Sequence, residues 1–297
     1  MKIPSAHILK QFVNRTREIS GFESVLSDMS KRIMCLHGPG GIGKSVLLSR
    51  MMEECNKRDL EWLYIEWEDT KRFNYLDIMR KIRNNTVPSL FQLFNDRVNF
   101  YTVPNYEMKI ALEAGPIQNV EVLKGGEVKQ SGVTVHVGHK VEIKDSKINV
   151  KRPDRDVTED EIVIDLTNAF MPCLKTLTNE RPLILFFDAL EKADDLAYAW
   201  IWDELLSRVR DEEIQNLIVI LSGRKKFEPD PTFFDSSEVY ALKPFRAEHI
   251  LDYLEKRGLD RMDYLAEFIF ANSEDGNPLQ VAQGVNNFIS FQRNKAG

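Results

Sequence analysis

Two hydrophobic rhythms take turns along the chain. Continuous apolar runs of strand length occur at Ile33 to Leu36, Leu183 to Phe187 and Leu217 to Leu221, and Leu60 to Trp67, interrupted by Glu61 and Glu66, also reads as a strand. Between them apolar residues recur at helical spacing: Val46, Leu47, Met51 and Met52 within Ser45 to Cys55, then Tyr75 to Ile82, Leu166 to Leu177 and Ala197 to Arg210. Strands alternating with helices call for a parallel sheet covered by helices. Later, Ala247 to Lys256, Arg261 to Ala271 and the stretch following Pro278 read as helices with few strand signals, which predicts a small C-terminal helical subdomain.

The rhythm breaks once, between about Thr86 and Val163. Val120-Glu121-Val122, Val133 to Val137 and Val141-Glu142-Ile143 alternate apolar and polar residues around turn signals at Gly125-Gly126 and Gly138, predicting a hairpin-rich β insertion. Basic and acidic residues nearly balance there, a poor match to a phosphate-binding face, so the insertion reads as decoration or a protein contact. His136 and His139 have no Cys or third His nearby and read as surface residues rather than metal ligands. The chain therefore divides into residues 1–85 and 164–243 as two parts of one α/β core, 86–163 as the insertion and 244–297 as the helical subdomain.

Composition narrows the class without naming it. A chain of 297 residues, 43% hydrophobic, holds one large α/β domain plus a smaller one. A net charge of -6 and a pI near 5.6 argue against bulk attraction to nucleic acid or an anionic membrane. Cys35, Cys55 and Cys173 lie far apart with no C-x-x-C spacing, so neither a zinc site nor a disulfide framework is indicated. No apolar run approaches bilayer-crossing length, and MKIPSAHILKQF lacks the apolar core of a secretion signal, which together predict a cytoplasmic protein.

The chemistry begins at Gly38-Pro39-Gly40-Gly41-Ile42-Gly43-Lys44-Ser45, which fits the phosphate-loop pattern G-x-x-x-x-G-K-[ST] between a strand run and a helical run. Glycines let successive N–H groups turn inward toward phosphate oxygens, and the positive end of the following helix, which opens with Lys44, Ser45 and Val46, adds to the attraction. Lys44 would reach the β- and γ-phosphates, and the Ser45 hydroxyl would hold Mg²⁺. The bland alternative is a glycine-rich turn with a chance lysine.

Leu183-Ile184-Leu185-Phe186-Phe187-Asp188 is an apolar strand that ends in an acid, with Glu191 three residues on. Such a strand delivers one carboxylate to the edge where ligands bind in open α/β folds. Asp188 would complete the Mg²⁺ shell and Glu191 would orient or deprotonate the attacking water. The D-x-x-E spacing equally fits a helix cap and its capping-box partner. A third strand, Leu217 to Leu221, leads into Ser222-Gly223-Arg224. Arg224 would sense the terminal phosphoryl group through its guanidinium, or it is a solvated residue of the basic turn Arg224-Lys225-Lys226.

Taken in order, the phosphate loop, FFDALEK, LSGR, Leu242-Lys243-Pro244-Phe245 and Gly276-Asn277-Pro278-Leu279 resemble the STAND class of P-loop ATPases, signal-transduction ATPases with numerous domains related to AAA+ proteins. Phe12-Val13-Asn14-Arg15-Thr16-Arg17-Glu18 is similar to the N-terminal signature of that class, with Asn14 in place of a glycine. The resemblance implies a P-loop NTPase sheet sandwiched by helices, ATP or ADP with Mg²⁺ as ligands, Arg15 near the nucleotide, and Pro278 against the adenine or ribose. It also implies a slow ATPase that works as a nucleotide-dependent switch, with self-association and sensor or effector partners. Members usually continue into a winged-helix module and repeats, so the chain reads as a minimal member or one portion of a longer polypeptide. An AAA+ loader acting on nucleic acid and a non-hydrolysing, nucleotide-stabilised scaffold are the competing readings. The loop itself reads phosphates and leaves the base open.

Overall fold

The computed structural model describes residues 10–28, 31–67, 73–102, 107–109, 127–130, 133–136, 149–151, 158–227, 230–233 and 235–296. Along the chain come α1 (Thr16–Asp28), β1 (Ile33–His37), α2 (Lys44–Lys57), β2 (Glu61–Glu66), α3 (Tyr75–Asn85) and α4 (Gln92–Thr102). Four short strands follow, β3 (Glu107–Lys109), β4 (Glu127–Gln130), β5 (Val133–His136) and β6 (Asn149–Lys151), then α5 (Glu159–Glu180) and β7 (Leu183–Asp188). Next, α6 (Asp195–Ala199) runs through a π-helical stretch at Trp200–Leu206 into α7 (Ser207–Arg210). The chain closes with β8 (Leu217–Gly223), β9 (Ser237–Ala241), α8 (Ala247–Lys256), α9 (Asp263–Ala271) and α10 (Pro278–Ala296). It forms two compact units, one of residues up to Gln92 with those from Phe170 on, the other Leu93–Ala169.

The larger unit is built on a five-stranded parallel sheet in the order β2-β7-β8-β1-β9. Every residue of β7 and β8 is buried, which is why their sequences are apolar runs instead of alternating ones. On one face α1 and α2 place Phe22, Leu47, Met51 and Cys55 against Met34, Phe186 and Ile220 of the sheet. Truncating Leu47 to Ala there would cost about 2–5 kcal/mol, the range for a buried aliphatic side chain. Because β8 lies between β1 and β7, the ends of all three strands fall side by side at one sheet edge, where the phosphate loop, Asp188 and Gly223 emerge.

The helical subdomain has its own core, in which Ile250, Leu254, Leu265, Ile269 and Val281 from α8, α9 and α10 enclose Phe245. Val13, from the segment before α1, inserts into that same core. The N-terminal signature is thus packed on the subdomain as well as on the sheet. In this unit α1 and the edge strand β9 carry weaker apolar patterns than the inner elements, and only the structure reveals them.

The second unit is not uniformly β. It begins with α4 and ends in α5, which starts at Glu159 under a cap in which the Thr158 hydroxyl accepts from Glu161 N at 3.3 Å. Asp165 of α5 accepts from the Tyr101 hydroxyl at 2.8 Å and pairs with Arg97 Nε at 3.2 Å. Between the helices β4 and β5 form an antiparallel hairpin and β3 pairs antiparallel with β6. The strand segments expected at Val120 to Val122 and Val141 to Ile143, the turns at Gly125-Gly126 and Gly138, His139 and the His136 side chain lie outside the described residues.

Candidate nucleotide site

The phosphate loop leaves β1 and enters α2 through two left-handed residues, Gly41 at φ 78° and Gly43 at φ 94°. Gly43 is the N-cap of α2, and no side chain caps that helix. A left-handed N-cap without side-chain competition leaves the first turn of α2, Lys44, Ser45 and half-buried Val46, facing the loop cavity with its helix dipole. Lys44 Nζ donates to Gly38 O at 2.7 Å and Pro39 O at 3.0 Å, so its ammonium lies inside the curl of the loop. Burial lowers its pKa, with Glu191 and Asp188 pulling the other way and Arg224 adding to the lowering.

Asp188, 3% exposed at the end of β7, is the hub of the site. Its Oδ2 accepts from Ser45 Oγ at 2.6 Å and from Tyr64 OH at 2.8 Å. Its Oδ1 accepts from Ser222 Oγ at 2.8 Å and from Ala189 N at 2.9 Å. Four donors, from β2, β8, α2 and the residue just after β7, thus fix one carboxylate, which offsets the cost of burying it. Burial, then the nearby Asp188 charge, pushes the Tyr64 phenol well above its usual range, keeping it a donor. Ala189 takes a left-handed conformation at φ 59°, which redirects the chain so that Glu191 returns over the sheet edge. The capping reading of Asp188 and Glu191 does not hold: α6 begins later, and Asp194 caps it by accepting from Ala197 N at 2.7 Å.

Glu191 Oε2 accepts from the Arg224 backbone N–H at 3.0 Å, and its Oε1 lies 3.1 Å from Arg224 Nε. A side chain built on Gly40 would meet the Arg224 guanidinium at 3.9 Å, which places that guanidinium over the phosphate loop. The structure therefore brings Lys44, Ser45, Asp188, Glu191 and Arg224 together at one sheet edge. No sequence signal marked Tyr64 or Ser222 as members of this group, although both lie on strands flanking the Asp188 strand.

Arg15 is 4% exposed and directs its guanidinium at backbone: Nη1 donates to Lys243 O at 2.7 Å and Nη2 to Ile42 O at 2.8 Å, with the Phe245 ring at 5.7 Å. Burial lowers its pKa, opposed by Glu18. Asn14 and Arg15 both have positive φ, 61° and 73°, so the position where the signature has glycine does need left-handed backbone. Pro278 occupies the first position of α10, and the polar contacts fall on its two neighbours. Asn277 Nδ2 donates to Gly40 O at 3.1 Å, and Leu279 N donates to Gly41 O at 3.1 Å. Among the described residues no helix is long and apolar enough to cross a membrane.

Residues 11–220 match the family described as AAA ATPase domain, and the chain belongs to that family. The AAA-related P-loop reading of the motifs and the helix-covered parallel sheet agree with this membership. Among solved structures, the chain is similar to a STAND protein with a tetratricopeptide repeat sensor from Pyrococcus horikoshii, at 14% identity and a TM-score of 0.45, over 91% of this chain and 29% of that one. It is similar to Cdc6p from Pyrobaculum aerophilum at 14% identity and a TM-score of 0.48, over 99% of this chain and 68% of that one. It is similar to AMPPCP-bound DnaA from Aquifex aeolicus at 11% identity and a TM-score of 0.48, over 96% and 65%. The chain spans under a third of the Pyrococcus protein and about two thirds of the other two. No curated protein matches it.

Proposed function

We propose that the chain is a STAND-type switch module that binds Mg·ATP at the phosphate loop and hydrolyses it slowly. The observation that carries this reading is the convergence of Lys44, Ser45, Asp188, Glu191 and Arg224 on one sheet edge beside an uncapped helix N-terminus. The donor set fits a triphosphate: left-handed glycines, an ammonium held only by neutral carbonyls, and a Ser–Asp pair of hard oxygens suited to Mg²⁺. The Lys44 ammonium now faces two neutral carbonyls; a phosphate oxygen would add the attraction of an opposite full charge, so Lys44 gains by trading Gly38 O and Pro39 O for phosphate oxygens. Ser45 and Asp188 are the residues that would hold the metal, whose chemistry is to neutralise charge on the β- and γ-oxygens.

Glu191 orients and accepts a proton from the water that attacks the γ-phosphorus, while the bond from that phosphorus to the bridging oxygen breaks and ADP leaves. Arg224 is 63% exposed at its side chain, so its pair with Glu191 contributes at most about 1 kcal/mol. A terminal phosphoryl group outcompetes that pair, and Glu191 is then free to face water. Both Glu191 oxygens being engaged by Arg224 supports slow turnover; the same contact favours the second reading, a non-hydrolysing scaffold. Net charge is summed over the whole chain and does not decide whether nucleic acid is a partner.

The test is light scattering of the chain with ADP, ATP and a non-hydrolysable ATP analogue, beside Lys44→Ala and Glu191→Gln. Assembly with ATP or its analogue, abolished in Lys44→Ala and prolonged in Glu191→Gln, supports the switch. An unchanged mass throughout overturns it, and unchanged phosphate release in Glu191→Gln removes the hydrolytic role.

A further inference from the structure

The helical subdomain touches the site through one short stretch. Gly276 has φ 91°, and a side chain there would strike Phe245 O at 2.0 Å, so the chain turns at a point only glycine fits. The turn is closed by Phe245 N donating to Gly276 O at 2.8 Å. It delivers Asn277, 7% exposed, to the phosphate loop. The Asn277 side chain does two things at once: Oδ1 caps α10 by accepting from Leu279 N at 3.1 Å, and Nδ2 donates to Gly40 O at 3.1 Å. The Leu279 N–H also reaches Gly41 O at 3.1 Å. Gly41 is needed for this approach, since a Cβ there would lie 2.8 Å from Asn277 Oδ1 and 3.0 Å from Leu279 Cβ.

These contacts go to the carbonyls of Gly40 and Gly41, whose peptide planes also carry the N–H groups of Gly41 and Ile42; the Ile42 N–H donates to Pro39 O at 3.4 Å, and in a loop of this type such N–H groups are the donors a phosphate would take. A peptide plane cannot present its carbonyl to Asn277 and its N–H to a ligand independently. The orientation that suits the subdomain and the orientation that suits phosphate are set by the same backbone dihedrals at Gly40 and Gly41.

We infer that Asn277 is the positioning residue that couples the subdomain to the phosphate loop, and that the phosphates alone, without base or ribose, are what the subdomain senses. This rests on the nucleotide reading of the site and departs from the expectation that Pro278 reads the adenosine. Coupling is reciprocal: if a seated subdomain raises phosphate affinity by some factor, phosphate raises the seating of the subdomain by the same factor. One neutral hydrogen bond at the contact corresponds to roughly a threefold to tenfold effect.

The experiment is amide hydrogen exchange of the full chain across α8, α9 and α10, with the Leu279 amide as the direct reporter. The probes are Mg·ATP, Mg·tripolyphosphate and adenosine, each at saturation, or at its solubility limit for adenosine. Asn277→Ser keeps a good helix cap but is too short to reach Gly40 O, and its melting temperature checks that it folds. The expected result is protection rising about threefold to tenfold with ATP and equally with tripolyphosphate, none with adenosine, and both gains lost in Asn277→Ser, with ATP binding weakened by the same factor. Protection by ATP and adenosine but not tripolyphosphate overturns the inference, as does protection that survives in Asn277→Ser. ATP that binds without protecting the subdomain also overturns it while leaving the nucleotide reading intact. ATP that does not bind at all overturns the nucleotide reading, and the coupling with it.

Discussion

Glu191 grips Arg224 from both carboxylate oxygens, one on the backbone N–H at 3.0 Å and the other on Nε at 3.1 Å. An amide at position 191 keeps an oxygen for the N–H and loses the charge that would take a proton from water. Glu191→Gln is therefore expected to lower the ATP hydrolysis rate at least a hundredfold, the usual span of general-base loss, while leaving ATP affinity within about threefold. Single-turnover phosphate release and a fluorescent-nucleotide titration measure the two effects separately. A parallel loss of affinity would mean that the carboxylate chiefly holds the site together.

Much of this arrangement is legible in the sequence, for a physical reason. A strand buried on both faces must be apolar throughout, so β1, β7 and β8 announce themselves, and a phosphate loop needs its glycines at fixed spacing. The edge strand β9 escapes notice because Ser237-Glu238-Val239-Tyr240-Ala241 packs on one neighbour only and tolerates polar residues. The polar first turn of α5, with Glu159, Asp160 and Glu161, hides where that helix starts, since acids favoured at a helix N-terminus carry no apolar periodicity. Partners that meet only through folding are the least legible. Tyr64 reads as one aromatic of a strand, and Gly276-Asn277-Pro278, apart from the resemblance that points to Pro278, reads as a turn with no role for Asn277, until the register of β2 on β7 and the return of α10 to the loop bring Tyr64 to Asp188 and Asn277 to Gly40.

Tyr64→Phe tests how far the site depends on its unannounced member. The phenol donates to Asp188 Oδ2 at 2.8 Å, on the same oxygen that receives Ser45 Oγ. Losing a bond to a buried charged group costs about 1.5–3 kcal/mol, partly recovered here because three other donors remain. The expected outcome is a lower urea midpoint with unchanged slope, together with weaker Mg²⁺ dependence of nucleotide binding. A midpoint equal to that of the unmodified chain would show that Asp188 is held well enough by Ser45, Ser222 and Ala189.

Gly276→Ala should be among the most damaging small substitutions in the chain. The new methyl group would sit 2.0 Å from Phe245 O, an overlap that backbone cannot relieve locally, at a φ of 91° that alanine disfavours. Steric strain at such a position is expected to cost more than the about 1 kcal/mol of the positive φ alone, roughly 2–4 kcal/mol in all. Gly258, also at positive φ but with open space where a methyl group would go, is the matched control: Gly258→Ala should cost only the conformational part. Thermal melting of the two variants side by side separates clash from strain.

His249 gives the helical subdomain a pH dependence of predictable sign. Its Nδ1 accepts from the Arg246 backbone N–H at 2.9 Å, capping α8, and from Asn14 Nδ2 at 3.4 Å, so the folded state needs an unprotonated ring nitrogen. Burial lowers its pKa; Arg246 and Arg15 act in the same direction, and Glu248 and Asp252 oppose it. A histidine depressed in the folded state is more readily protonated in the unfolded one. Its contribution to stability is thus fully present above the ordinary value of about 6.5 and is lost as pH falls from there through the folded value. The urea midpoint should decline on acidification from pH 7.5 to about 5.5. In His249→Gln, where an amide oxygen can cap without titrating, the decline should be shallower than in the unmodified chain. Identical slopes in the two proteins would mean that the acid sensitivity arises elsewhere, with His37, whose pKa is also lowered by burial, Lys226 and Lys44, as the next position to replace.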